Sequence, residues 1–287
     1  KIMFKSLFVA ILIFSIQSVT SAQQLDYSKY YSQLTVKSPK AIVYDAESGD
    51  IIYQKKAHEK SSIASLTKLM TAMVIIDSNL DLDKKITITK NDFDKIKGTT
   101  SRLWLGSELS RKELLSIALI ASDNRAASAI SNSYPGGKKA FVQAMNVKAK
   151  QLGMDDTLFA DPTGLDKNNI STAIDLVKMT QAAQQYPLIR ELSTSSYYEA
   201  HIKNKKIKLN YNNTNLLVRQ GLWDIDISKT GYIREAGKCL IMQTTVMDKP
   251  IIMVFLKSYG KYTRTADAKR VKKWLESVHV QANLASN

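Results

Sequence analysis

Ser65 and Lys68, in the run Ser65-Leu66-Thr67-Lys68, stand three residues apart at the head of a segment with apolar side chains at Leu66, Leu69, Met70, Met73, Val74 and Ile76. That periodicity predicts a helix ending near Ser78-Asn79, and on a helix residues i and i+3 share a face. A serine hydroxyl is a weak nucleophile until a neighbouring base takes its proton. A lysine can be that base once burial or a second cation lowers its pKa. The first N–H groups of a helix have no intrahelical partner, and the dipole there favours negative charge. Ser65 would therefore have a base within reach and an oxyanion donor in its own N–H. Such a pair suits acyl transfer through a serine ester.

Alone, the S-x-x-K spacing is weak evidence, because an N-capping serine and a surface lysine give it too. Ser258-Tyr259-Gly260-Lys261 repeats it, but Ser258 follows a strand-like run and precedes a glycine turn. Two further motifs lie between these copies. Ser122-Asp123-Asn124 interrupts two helical segments, so its side chains can point into a cleft. Ser122 could relay a proton to a leaving amine, and Asn124 could hold Lys68 and a substrate amide. A local helix-capping turn has the same composition. Lys229-Thr230-Gly231 ends an alternating strand. A cation and a hydroxyl beside a residue without a side chain suit docking of an extended peptide that carries a carboxylate. Lys229 is also the candidate second cation for depressing Lys68. The plainer alternative there is a strand-end lysine with a turn glycine.

The elements that must hold these residues follow from periodicity and punctuation. Residues 41–45 and 51–54 predict a hairpin around Gly49. Ser110 and Glu113 form a capping box ahead of a second helix. Helix resumes over 126–130, stops at Tyr134-Pro135-Gly136-Gly137, and continues over 138–152 to Gly153. Another helix spans 172–185 and is closed by Tyr186-Pro187. Strands follow at 206–210 and 223–231, then a hairpin of 238–247 and 251–256. A last helix over 265–280 carries Ala268, Val271, Trp274, Leu275 and Val278 on one side. The economical arrangement is α/β (α+β): one antiparallel sheet made from the first hairpin and the last strands, flanked by helices, with the middle helices as a second lobe. A site would lie in the cleft between them.

Composition limits the rest. Lys1 and Lys5 precede an uncharged apolar run over 7–14, and Thr20-Ser21-Ala22 offers small residues before Gln23. Residues 1–22 thus read as a secretory signal peptide, with an uncleaved N-terminal anchor as the alternative. Residues 23–37 read as an extended lead-in, 38–280 as the catalytic domain and 281–287 as a flexible tail. Cys239 is the sole cysteine, expected as a small core residue. The formal charge of +15 favours polyanionic partners such as anionic headgroups or a carboxylate-rich wall polymer. Export, and the lack of zinc-ligand spacing or an aromatic-basic pattern, argue against nucleic acid. No metal or cofactor is expected.

The joint order of S-x-x-K, S-D-N and K-T-G characterises penicillin-binding proteins and class A β-lactamases. With Ser101-Arg102-Leu103, Asn124-Arg125-Ala126-Ala127, Tyr134-Pro135-Gly136-Gly137, Asp161-Pro162-Thr163-Gly164-Leu165 and Asn213-Thr214-Asn215, residues 38–278 resemble the low-molecular-mass penicillin-binding proteins. Within these the likeness is greatest to the D-alanyl-D-alanine endopeptidases. The resemblance implies the serine transpeptidase-like fold, an acyl-enzyme on Ser65, and oxyanion donors in the backbone of Ser65 and Tyr232. It implies that Lys229, Thr230 and Gly231 receive the carboxylate end of a peptidoglycan stem peptide, and that β-lactams acylate Ser65. It also implies a periplasmic location. A class A β-lactamase would carry an E-x-x-L-N stretch between the second and third motifs, and none is present. A D-alanyl-D-alanine carboxypeptidase stays open, because either leaving group carries a carboxylate next to its amine. A non-turnover penicillin sensor and a wall-binding module are the non-enzymatic alternatives. Peripheral membrane association through the last helix, with Lys269, Arg270, Lys272 and Lys273 towards headgroups, is a further alternative.

Overall fold

In the computed structural model, residues 25–285 are described, and the predicted signal peptide lies outside them. Within that span the elements run β1 (Lys40–Asp45), β2 (Ile51–Lys55), β3 (Ser61–Ser62), α1 (Thr67–Asp77), β4 (Lys85–Thr87), β5 (Glu108–Ser110), α2 (Arg111–Ile120), α3 (Asn124–Asn132) and α4 (Gly137–Gln151). There follow β6 (Ile170–Ser171), α5 (Ala173–Gln184), α6 (Pro187–Thr194), β7 (Tyr197–Ile202), β8 (Ile207–Asn212) and α7 (Leu216–Gln220). The chain closes with β9 (Ile225–Ile233), β10 (Gly237–Val246), β11 (Lys249–Ser258) and α8 (Thr263–Ala285).

The first hairpin and the last three strands make one antiparallel sheet in the order β2-β1-β11-β10-β9. Both faces of this sheet are covered, and period-two alternation divides its side chains between two cores. Ala41 and Val43 of β1, Leu240 and Met242 of β10, and Met253 and Phe255 of β11 join one cluster with α8. Ile42, Cys239, Ile241, Ile252 and Val254 join the other, with α1 to α5. Cys239 is fully buried, and burial raises its thiol to about 11. It is a core residue, as expected.

Several sequence expectations hold in detail. The Ser110–Glu113 capping box forms, with Glu113 N donating to Ser110 Oγ at 3.1 Å and Ser110 N to Glu113 Oε2 at 2.5 Å. Others need correction. Tyr27–Gln33 is a 3-10 helix, not an extended lead-in. It forms because sheet and α8 leave apolar surface to cover: Leu34 and Val36 are buried there, and Trp274 Nε1 donates to Tyr30 O at 3.1 Å. Pro187 does not merely close α5. It opens α6, where the missing N–H costs nothing. β7, which the residue pattern does not predict, pairs with β8. The residues expected as a flexible tail continue α8 as far as Ala285.

α8 spends the stripe Ala268, Val271, Trp274, Leu275 and Val278 on the sheet. Arg270 pairs with Asp267, and the Lys272 Nζ lies 4.7 Å from the Trp223 ring centroid. The apolar stripe that a surface-lying membrane helix would need is thus covered by protein. Among the described residues, no helix is long and apolar enough to cross a membrane. Because Trp274 is 4% exposed, Trp274→Ala should lower the free energy of unfolding by about 3–5 kcal/mol, measured by urea denaturation.

Candidate active site

Ser65 sits in a 3-10 turn, Ala64–Leu66, immediately before α1, where the sequence suggested that it opens the α-helix itself. The i,i+3 spacing survives the junction, and Lys68 Nζ lies 2.9 Å from Ser65 Oγ. Ala64, at φ 49, bends the chain through the left-handed region to present the serine. Gly164, at φ +85, packs on that bend. A Cβ there would stand 2.1 Å from the Ala64 carbonyl oxygen and 2.7 Å from Ser65 N. Only glycine fits.

Lys68 is buried, with three polar contacts. Its Nζ is 2.7 Å from Asn124 Oδ1, 2.6 Å from the Thr163 carbonyl and 2.9 Å from Ser65 Oγ. Asn124 Oδ1 and the Thr163 carbonyl can only accept. A neutral amine has two hydrogens and one lone pair, so both hydrogens go to these oxygens. The lone pair is then left facing Ser65 Oγ. Burial pushes the Lys68 pKa from 10.5 down to about 8, against the opposing pull of Asp161 and Asp123. This arrangement can take a proton from the serine.

The other two motifs meet across the same cleft. Lys229 Nζ donates to Ser122 Oγ at 2.9 Å and to the Thr230 carbonyl at 3.0 Å. Ser122 reaches this position at φ 60, a costly backbone state for a serine. Asp123 caps α3 by accepting from Ala126 N, and it also accepts from Ser101 Oγ. Asn124 Nδ2 donates to Thr99 Oγ1 at 3.0 Å. The expected influence of Lys229 on Lys68 runs the other way. Burial first, then the charges of Lys68 and Arg264, hold the Lys229 pKa well below its ordinary value.

Lys229-Thr230-Gly231 lies inside β9, not at its end. The strand continues to Ile233, with Gly231 opposite Cys239. Its glycine answers to a close approach and not to a turn. A Cβ on Gly231 would come within 2.9 Å of Ser65 N and 3.0 Å of the Ile63 carbonyl. The sheet edge is thereby pressed against the amide of Ser65. Tyr232, the next residue, turns its ring outward beneath Lys238, whose Nζ is 4.2 Å from the ring centroid.

Four contributors were missed in the sequence. The Thr163 carbonyl is aimed by a turn in which the Asp161 carboxylate accepts from Thr163 N, Gly164 N and Asn169 Nδ2. Asp161-Pro162-Thr163-Gly164 carries a turn signal, but nothing local says where that turn packs. Thr214 Oγ1 accepts from Thr230 Oγ1 at 2.7 Å. Thr99 anchors Asn124. Arg264, on α8, donates to the carbonyls of Gly231 at 2.9 Å and Cys239 at 3.0 Å. It brings a fixed cation beside Thr230 from 34 positions further along the chain. The second S-x-x-K serine is unconnected with all this: Ser258 Oγ is buried against Ser38 Oγ at 2.7 Å.

The family profile described as D-alanyl-D-alanine carboxypeptidase matches residues 27–259. The chain belongs to this serine peptidase family. It is 45% identical over 246 residues to the D-alanyl-D-alanine endopeptidase of Escherichia coli, covering 86% of this chain and 79% of that protein. It is 41% identical over 277 residues to the D-alanyl-D-alanine endopeptidase of Pseudomonas aeruginosa, covering 96% and 89%. The DD-transpeptidase of Streptomyces K15 superposes with a TM-score of 0.77 at 28% identity, over 84% of this chain and 97% of that one. The resemblance to low-molecular-mass penicillin-binding proteins therefore holds, together with the transpeptidase-like fold.

Three outcomes follow from this arrangement. Proton abstraction needs Lys68 neutral, and its pKa lies near 8. Labelling of Ser65 by a fluorescent penicillin should thus rise with pH through about 8 and fall tenfold per unit well below it. Over the interval from about 8 to 10.5 the unfolded chain still binds the proton that folded Lys68 has lost, so stability should rise with pH there. Gly164→Ala, by displacing Ala64 and Ser65, should slow labelling on the order of 100-fold while circular dichroism still reports a folded protein.

Proposed function

We propose that the chain is a serine D-alanyl-D-alanine endopeptidase acting on peptidoglycan through an acyl-enzyme on Ser65. The observation that carries this reading is the placement of buried Lys68 Nζ, 2.9 Å from Ser65 Oγ and within hydrogen-bonding distance of two oxygens that only accept, Asn124 Oδ1 and the Thr163 carbonyl, so that the neutral amine keeps its lone pair for Ser65. Ser65 Oγ attacks the D-alanyl carbonyl as its proton passes to Lys68. The developing oxyanion is received by the backbone N–H groups of Ser65 and Tyr232. Asn124 orients Lys68 and the substrate amide. Collapse of the intermediate expels the amine, which takes its proton by way of Ser122. Water then attacks the ester with Lys68 as base again, giving the D-alanyl carboxylate and free Ser65. Lys229 and Thr230, backed by Arg264, hold the carboxylate beside the leaving amine, and Gly231 lets the substrate backbone lie close.

β-Lactams enter the same site as substrate mimics. The turn at 161–165 offers Lys68 a carbonyl, and the Asp161 carboxylate is occupied by that turn. Among the described residues no carboxylate hydrogen-bonds Ser65 or Lys68, so the penicilloyl ester should be long-lived. Names of close relatives support the endopeptidase over the carboxypeptidase. The family description supports a carboxypeptidase as the second reading, because the same clamp suits a terminal D-alanine. We place the protein in the periplasm, with residues 1–22 as its signal peptide and 38–280 as the catalytic unit. Peptidoglycan stems and β-lactams are its partners.

Ser65→Ala should abolish covalent labelling by fluorescent penicillin. Incubation with a purified cross-linked muropeptide dimer should yield monomers, separated by chromatography, faster than monomeric pentapeptide loses D-alanine. Equal labelling of the variant would overturn the acyl-enzyme, and a monomer-only activity would make the protein a carboxypeptidase.

A further inference from the structure

Beyond the carboxylate clamp lies a cavity of about 380 Å³, walled by Thr230 and by Arg219 of α7, Lys238 of β10, Lys261 in the turn before α8 and Arg264 in the first turn of α8. Four cations line it and no carboxylate does. None of the four enters an ion pair among the described residues. The two arginines are fixed by backbone carbonyls: Arg219 by that of Asn213, Arg264 by those of Gly231 and Cys239. The two lysines only overlie rings, Lys238 at 4.2 Å from Tyr232 and Lys261 at 5.2 Å from Tyr262. Unpaired cations around a shared concavity focus positive potential on whatever enters it.

The cavity shares Thr230 with the clamp, so its occupant is continuous with the leaving group. A terminal D-alanine brings one carboxylate, which the clamp satisfies. A D-alanyl–diaminopimelate cross-link brings the same carboxylate and, behind it, a whole stem peptide with further carboxylates. We propose that this basic cavity receives the acidic second stem of a cross-link and so favours cross-links over pentapeptide ends. The inference rests on the endopeptidase reading. It also gives Lys261, of the second S-x-x-K motif, a role in substrate choice.

The test compares the wild-type chain with the double variant Lys238→Gln/Lys261→Gln on a cross-linked dimer and on a pentapeptide monomer, with penicillin labelling of Ser65 as the control for folding. Half-buried Lys238 and exposed Lys261 each contribute modestly, so KM for the dimer should rise about three- to twentyfold with kcat kept. KM for the monomer and the labelling rate should change less than about twofold. Lys238→Arg/Lys261→Arg should keep the wild-type preference. Equal losses on both substrates, or an unchanged dimer KM, would overturn the proposal while leaving the endopeptidase reading intact. A wild-type protein that trims the monomer and never cleaves the dimer would overturn both.

Discussion

Lys68 is 1% exposed, has no carboxylate in hydrogen-bonding contact, and directs its amine at one side-chain oxygen, one backbone oxygen and the Ser65 hydroxyl. A charged ammonium in that position is penalised by lost hydration, and the acceptors around it return only part of what water gave. The neutral form is therefore accessible near pH 8, and its lone pair can point in one direction only. Each neighbouring element can be understood by what it does for this amine. α1 carries it, the α2–α3 break supplies Asn124, and the 161–165 turn supplies Thr163.

Around that amine the backbone is crowded in ways that small residues alone permit. Gly164 meets the Ala64 carbonyl, and Gly231 meets Ser65 N. The bends at Ala64 and Ser122 sit in left-handed backbone space. Such strain persists where surrounding structure over-determines it, and here both flanks are rigid: a buried helix on one side and the edge of a sheet covered on both faces on the other. The same sheet edge offers a row of donors and cations to an extended peptide, with Lys229 and Arg264 behind it. Burial first, and then the charges of Lys68 and Arg264, hold Lys229 low, so a substrate carboxylate would offset part of that positive charge.

The composition and order of residues determined a good deal by themselves. Local rules sufficed for the α2 capping box, for the first and last hairpins, and for the apolar stripe of α8. They sufficed too for choosing Ser65 over Ser258, because one opens a helical period and the other follows a strand. Motif order named Lys68, Ser122, Asn124 and the Lys229-Thr230-Gly231 stretch as candidates, and these do line one cleft. Where local rules misled, a distant partner had decided the matter: the 3-10 helix of Tyr27–Gln33 exists to cover α8, and β9 runs past Gly231 because β10 pairs with it as far as Ile233.

Only the tertiary structure decided what those candidates face. The Thr163 carbonyl has no side-chain signature, and Arg264 lies on a terminal helix that reads as ordinary amphipathic packing. The unpaired cations beside Thr230 come from three separated segments. Burial, which lowers Lys68 and Lys229, is a property of the assembled core and of no single stretch. Sequence thus fixes which groups are available and roughly which element bears each. Distance, orientation and dielectric arise only when elements far apart in the chain pack, and those three quantities decide which serine and which lysine come within 2.9 Å of each other in a buried cleft.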